Sequence, residues 1–148
     1  MKASAICSTL VAVLALGAAQ IGRQATEYKV SAFAGSCIPH SLYYNYEFDV
    51  ATTSALESTH CSLMLLGPDL LPPVRPIGCE DAAYSWSVAL GNESLALTVM
   101  TPLGEETNLT GVHTITKDQL AMLDHGSVVI QYYKGPRNFA IATERTLA

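Results

Sequence analysis

Charge is scarce in this chain. Only 14% of its 148 residues are charged, with eight Lys and Arg against thirteen Asp and Glu. So few basic groups exclude nucleic acid as a partner for the whole surface, because neutralising phosphates takes clustered Lys and Arg. Few charges beside 49% hydrophobic residues also exclude disorder. Catalytic motifs are missing as well: past residue 19 there is no Gly-x-Ser-x-Gly elbow, His-Glu-x-x-His pair, phosphate-cradling Gly-rich loop or Cys-x-x-Cys. Glu80-Asp81 and Glu105-Glu106 are adjacent acids, but neighbours on extended backbone point to opposite faces, so neither pair flanks a glycosidic bond. The expectation is a protein that is not an enzyme and needs no cofactor or metal.

What is present first is a leader. Lys2 is followed by an uncharged run from Ala3 to Ile21 that ends in the small residues Gly17-Ala18-Ala19. A basic start, an apolar middle and small residues at the end form the pattern of a secretory signal peptide, with cleavage after Ala19; an uncleaved membrane anchor is the competing reading. Residues 1–19 are therefore read as leader and 20–148 as a single domain, long enough to bury roughly two-thirds of its unfolded surface. That mature chain holds seven basic and thirteen acidic side chains, a balance of −6.

Three cysteines remain after the leader: Cys37, Cys61 and Cys79. Export favours pairing, and an odd number leaves one over. The expected bond joins Cys61 to Cys79 around a proline-rich stretch, leaving Cys37 as a free or intermolecular thiol. Cys37-Ile38-Pro39-His40 with His60-Cys61 offers a zinc-like ligand set, but its spacing is wrong, and a disulfide sulfur cannot ligate as a thiolate. His113 and His125 stand alone. Asn92-Glu93-Ser94 and Asn108-Leu109-Thr110 are N-glycosylation sequons, making Asn92 and Asn108 the candidate glycan sites.

Period-two alternation dominates the rest. Tyr44, Tyr46, Phe48 and Val50 alternate with Asn45, Glu47 and Asp49; Tyr84, Trp86, Val88 and Leu90 repeat the pattern, as do Leu95, Leu97 and Val99. Gly91-Asn92-Glu93 is a link of hairpin length between the last two runs. Further strands are expected at Tyr28 to Phe33, Thr59 to Leu65, Gly111 to Ile115, Ser127 to Tyr133 and Phe139 to Thr143. The fold class is all-β: a compact antiparallel β-barrel or sandwich of many short strands. One short helical turn is expected near 117–123, capped by Thr116 and Gln119, with Leu120 and Leu123 inward and Gly126 as its stop. Gly67 to Gly78, with Pro68, Pro72, Pro73 and Pro76, reads as a stiff extended loop.

Few basic groups interrupt the acidic surface, so Arg75, Lys134 and Arg137 are the candidate interaction residues; the plainer reading is that they solvate turns. A barrel mouth lined by Tyr43, Tyr44 and Tyr133 would instead suit a small aromatic ligand.

Three stretches carry a resemblance: Ala34-Gly35-Ser36-Cys37-Ile38-Pro39-His40-Ser41, Tyr44-Asn45-Tyr46-Glu47-Phe48-Asp49-Val50, and Tyr132-Tyr133-Lys134-Gly135-Pro136-Arg137-Asn138-Phe139. From about Tyr28 to Ile141 the chain resembles the family of small secreted fungal proteins that includes the Alternaria major allergen and hypersensitive-response-inducing elicitors. The resemblance implies a secreted, extracellular β-barrel acting as a virulence effector or elicitor. It implies binding to a host extracellular protein of the pathogenesis-related, thaumatin-like class, with a flavonoid-like small ligand as the alternative and no stable membrane association. It also supports the Cys61–Cys79 pairing. Elicitor-type members resemble Cys-x-Pro-His-Ser-x-x-Cys, and here Tyr44 stands at the second Cys. The cysteine that links the allergen dimer has no counterpart, so a homodimer would depend on Cys37.

Overall fold

The structure is a computed structural model that describes residues 27–67, 69–124, 126 and 129–148. The expected leader, its cleavage point and His125 lie outside the described residues. Ten strands follow one another: β1 (Glu27–Cys37), β2 (Tyr43–Thr52), β3 (Thr59–Leu66), β4 (Val74–Gly78), β5 (Ser85–Leu90), β6 (Leu95–Pro102), β7 (Thr107–Ile115), β8 (Leu120–Asp124), β9 (Val129–Tyr133) and β10 (Phe139–Leu147). Eight of them form one antiparallel sheet in the order β3-β2-β1-β10-β7-β6-β5-β4, and β8 pairs with β9 as a separate hairpin.

The alternation sets which face is buried. Tyr44, Tyr46, Phe48 and Val50 of β2 are fully buried, while Asn45, Glu47 and Asp49 between them keep partial access to water. β6 does the same with Leu95, Leu97, Val99 and Thr101. The inward rings meet edge to face: Phe48 and Trp86 at 5.2 Å, Phe33 and Tyr133 at 4.8 Å, Tyr28 and Tyr84 at 6.3 Å. Each such ring removes roughly 150–250 Å² from water, so these aromatics, few in number, supply much of the core. Two of the buried hydroxyls find partners across the interior. Tyr28 Oη reaches Thr101 Oγ1 and Leu109 O at 2.7 Å, and Tyr46 Oη donates to Pro72 O at 2.8 Å.

The sheet curls until its edge strands meet at one end. There Cys61 and Cys79 form the expected disulfide, with Cα atoms 4.3 Å apart. Glu80 N–H donates to His60 O (2.9 Å) and Asp81 N–H to Thr59 Oγ1 (2.8 Å). Beyond this clasp β3 and β4 are not ladder partners, and buried Leu71 from their connection fills the interior instead. The result is a nearly closed antiparallel barrel.

Two stretches differ from the sequence expectation. Among the described residues helix is confined to a 3-10 turn, Lys117–Gln119, where Gln119 Oε1 accepts the Thr116 N–H at 3.2 Å. Leu120 onward is strand, because pairing with β9 from Leu120↔Tyr133 to Asp124↔Val129 satisfies more backbone groups than one further helical turn. Leu123 consequently faces out, 42% exposed. The proline-rich stretch is loop only as far as Pro73. Val74–Gly78 pairs with β5 as an edge strand, where Pro76 needs no ladder donor.

Candidate functional site

At the end of the barrel away from the disulfide, the β1–β2 loop faces the β8–β9 hairpin across a groove of about 830 Å³. Ile38, Pro39 and Leu42 form one wall; Leu123, Ile130 and Tyr132 form the other. The loop is held by its own backbone: Ile38 N–H donates to Tyr43 O (2.8 Å), Ser41 N–H to Ile38 O (3.2 Å), and Ser41 Oγ accepts from Tyr43 N–H (3.0 Å). His40 sits at its apex with φ +60°. The opposite wall is fixed through β9, where Gln131 N–H donates to Asp69 O (2.9 Å) and Gln131 Oε1 accepts from Leu71 N–H (3.0 Å).

Cys37 is a free thiol, half-buried in the groove, with Sγ 3.4 Å from both Ile38 O and Ser41 O. Its register partner is Tyr44, so the position of the elicitors' second cysteine lies directly across the ladder from it. Tyr44 projects inward over Gly67, where an added Cβ would stand 2.6 Å from the ring. Burial raises the pKa of the Tyr44 hydroxyl, outweighing the opposing pull of the Gln131 backbone.

The expected aromatic mouth is divided. Tyr43 is 47% exposed on the outer face, Tyr44 is core, and Tyr133 packs on Phe33 while its hydroxyl donates to Pro136 O at 2.5 Å. None of the three lines the groove, whose walls combine the Cys37 to His40 stretch weighed above as a zinc set with Leu42, Leu123, Ile130 and Tyr132, which the sequence did not mark as site residues. Leu42 beside Ser41, and Leu123 in a stretch read as helix, were the available signals.

The basic candidates are exposed but belong to separate elements. Arg75 lies on β4, whereas Lys134 and Arg137 flank the Gly135-Pro136 turn. That turn has a structural task. Arg137 O accepts Phe33 N–H (2.9 Å) and Asn138 Oδ1 accepts Ala32 N–H (3.1 Å), which docks it onto a bulge in β1 where Ala32 has φ +53°. Lys134 lies close enough to Asp118 to help lower that carboxyl's pKa, after the hydrogen bond from the Thr116 hydroxyl. Asn92 is exposed at the two-residue tip of the β5–β6 hairpin; Asn108 is half-buried in β7 between β6 and β10.

The histidines lie apart. His60 on β3 bonds Asp49 of β2, Nδ1 to Oδ1 at 2.8 Å, and this bond raises its pKa, with Glu80 and Glu47 adding to the effect. His113 stacks on Phe139 with centroids 4.0 Å apart, and burial lowers its pKa. Among the described residues no three His, Cys, Asp or Glu side chains gather as a metal site.

A barrel filled by its own aromatics, clasped by one disulfide and grooved at the opposite end, is the class of structure these residues define. No family model and no curated protein sequence matches the chain. Among solved structures, it is similar to the crystal structure of the Alternaria alternata major allergen Alt a 1. Identity is 16%, the match covers 84% of this chain and 97% of that one, and the TM-score is 0.54. A second crystal structure of the Alternaria alternata allergen Alt a 1 is 19% identical over 85% of this chain and 90% of that one, with a TM-score of 0.47. The fold is thus that of the Alternaria allergen, in line with the resemblance read from the residues, and the disulfide fits an oxidising, extracellular setting.

Proposed function

We propose that this chain is a secreted recognition protein of the fungal effector or elicitor type. It binds a host extracellular protein, of the thaumatin-like pathogenesis-related class, and so triggers or modulates plant defence. The observation that carries this reading is the division of apolar groups. The interior is filled by Tyr28, Phe33, Tyr46, Phe48 and Trp86, each at most 1% exposed, while Leu42, Tyr43, Met64, Leu66 and Leu70 stay on the surface. An interior packed with these rings favours the outside as the working part, and exposed large apolar groups suit a protein interface. The test is surface-plasmon binding of the mature chain to purified thaumatin-like proteins. Saturable binding is expected, with Lys134→Ala/Arg137→Ala weakening it roughly five-fold and flattening its salt dependence, as rim charges do. No binding across the panel at about 100 μM would refute the reading; binding untouched by the double change would remove the basic pair from it.

A second reading, a carrier of a flavonoid-like ligand, draws on the groove rather than on the three tyrosines. Its apolar walls and volume suit a drug-sized molecule. Micromolar binding of a flavonol that is lost on Ile130→Glu would shift the assignment to this reading.

A further inference from the structure

The two edges of the sheet are defended unequally. β4 carries Pro76, exposed Arg75 and a register shift between Val74 and Ile77, three features that stop another strand from pairing with it. β3 has none of these between Ser62 and Leu66, where the sequence is Ser-Leu-Met-Leu-Leu. The phase of its ladder identifies the open groups. Gly67 N–H donates to Leu42 O on the β2 side, so odd-numbered Leu63 and Leu65 turn their backbone groups to β2. Even-numbered Ser62, Met64 and Leu66 therefore turn N–H and C=O outward. His60 has the same phase, and its carbonyl takes the Glu80 N–H from outside β2. Ser62, Met64 and Leu66 are all exposed, and among the described residues nothing pairs with their outward groups.

The side chains along this edge are polarised. Leu66 and its cross-strand neighbour Tyr43 make one end apolar, with Met64 beside them. At the other end Glu47 is the partner of Ser62 and Asp49 of His60, with Glu80 attached to the His60 carbonyl. We propose that the β3 edge from Ser62 to Leu66 is a strand-addition site for an extended segment of a partner protein. That segment runs antiparallel to β3, with apolar residues against Leu66 and Met64 and a basic residue at its C-terminal end. A Lys opposite Ser62 would lie two strand spacings, roughly 10 Å between backbones, from Glu47, within reach of its side chain. A second copy of this chain fits less well. Antiparallel pairing of β3 with itself would bring the Glu47 and Glu80 end of each molecule toward the Asp69 end of the other, acid against acid. The inference deepens the recognition reading and rests on it only for the identity of the partner.

The test uses a fluorescein-labelled, C-terminally amidated hexapeptide, Val-Thr-Val-Thr-Lys-Lys, titrated with the full mature chain and read by anisotropy. Saturation below about 1 mM is expected. N-methylation of the third and fifth residues, which face β3, should weaken binding about tenfold or more; methylation of the second and fourth should not. Met64→Pro removes only an outward N–H and should weaken binding similarly. If that variant does not fold, the two methylated peptides decide. Failure to saturate, equal loss with both methylation patterns, or a concentration-dependent dimer that occupies the edge would overturn the proposal. Peptide binding without any host-protein binding would sink the recognition reading and leave the edge site standing.

Discussion

Removing the Cys61–Cys79 bond should lower stability by an amount the chain itself sets. The two residues are 18 apart, and closing a loop of that length takes about 3 kcal/mol of entropy out of the unfolded state. For a domain of this size the unfolding entropy is about 0.25 kcal/mol per degree, so the expected fall in Tm is about 12 °C. The clasp is also where the edge strands meet, held otherwise by Glu80 N–H to His60 O and Asp81 N–H to Thr59 Oγ1. Thermal unfolding of Cys61→Ala/Cys79→Ala can be followed by the fluorescence of Trp86, the one tryptophan, which is buried 5.2 Å from Phe48. Because Cys61 is fully buried, the Ala variant also loses packing. Reduced wild-type protein keeps both sulfurs and isolates the cross-link. A reduced form melting within about 3 °C of the oxidised one would refute the argument.

The His60–Asp49 pair gives a pH dependence of known sign. Its bond raises the folded pKa of His60, so its contribution is fully present below the unfolded value near 6.5 and is lost as pH rises through the raised value. With both side chains about 40% exposed, roughly 0.5 kcal/mol is at stake. His113, lowered by burial, acts oppositely and costs stability on the acid side. The wild-type minus His60→Gln difference in denaturant midpoint from pH 5 to 9 is therefore the measurement, and a flat difference would refute the pair. Tyr44→Cys should oxidise with Cys37, because the two are register partners next to the hydrogen-bonded Ile38–Tyr43 pair. Thiol titration of the variant produced as residues 20–148 should find none free; two free thiols would contradict the register.

The residues that announced themselves in the sequence were those whose job is local. Tyr44 to Val50 and Trp86 to Val99 alternate because each side chain answers only to the face it occupies, and the β5–β6 turn needs only its own atoms. Leu120 and Leu123 satisfy a helical spacing and a hairpin alike, and the choice was made by β9, which the stretch itself does not encode. β1 runs past Phe33 to Cys37, since small Ala34 and Gly35 continue the strand after the bulge at Ala32. The groove was illegible for a stronger reason: Leu42 and Ile130 come together only when the hairpin docks on the barrel. The open backbone of β3 is a property of the strand order, invisible in its own five residues.

A wall fastened covalently at one point and left unlaced elsewhere has a bearing on how the chain meets a protease. A cut anywhere between Gly67 and Pro73 would leave Cys61 and Cys79 on different pieces of polypeptide, still bonded to each other. β1 and β10 would also remain zipped from opposite sides of the break. A nicked molecule would keep its two pieces joined, by the disulfide and by that ladder.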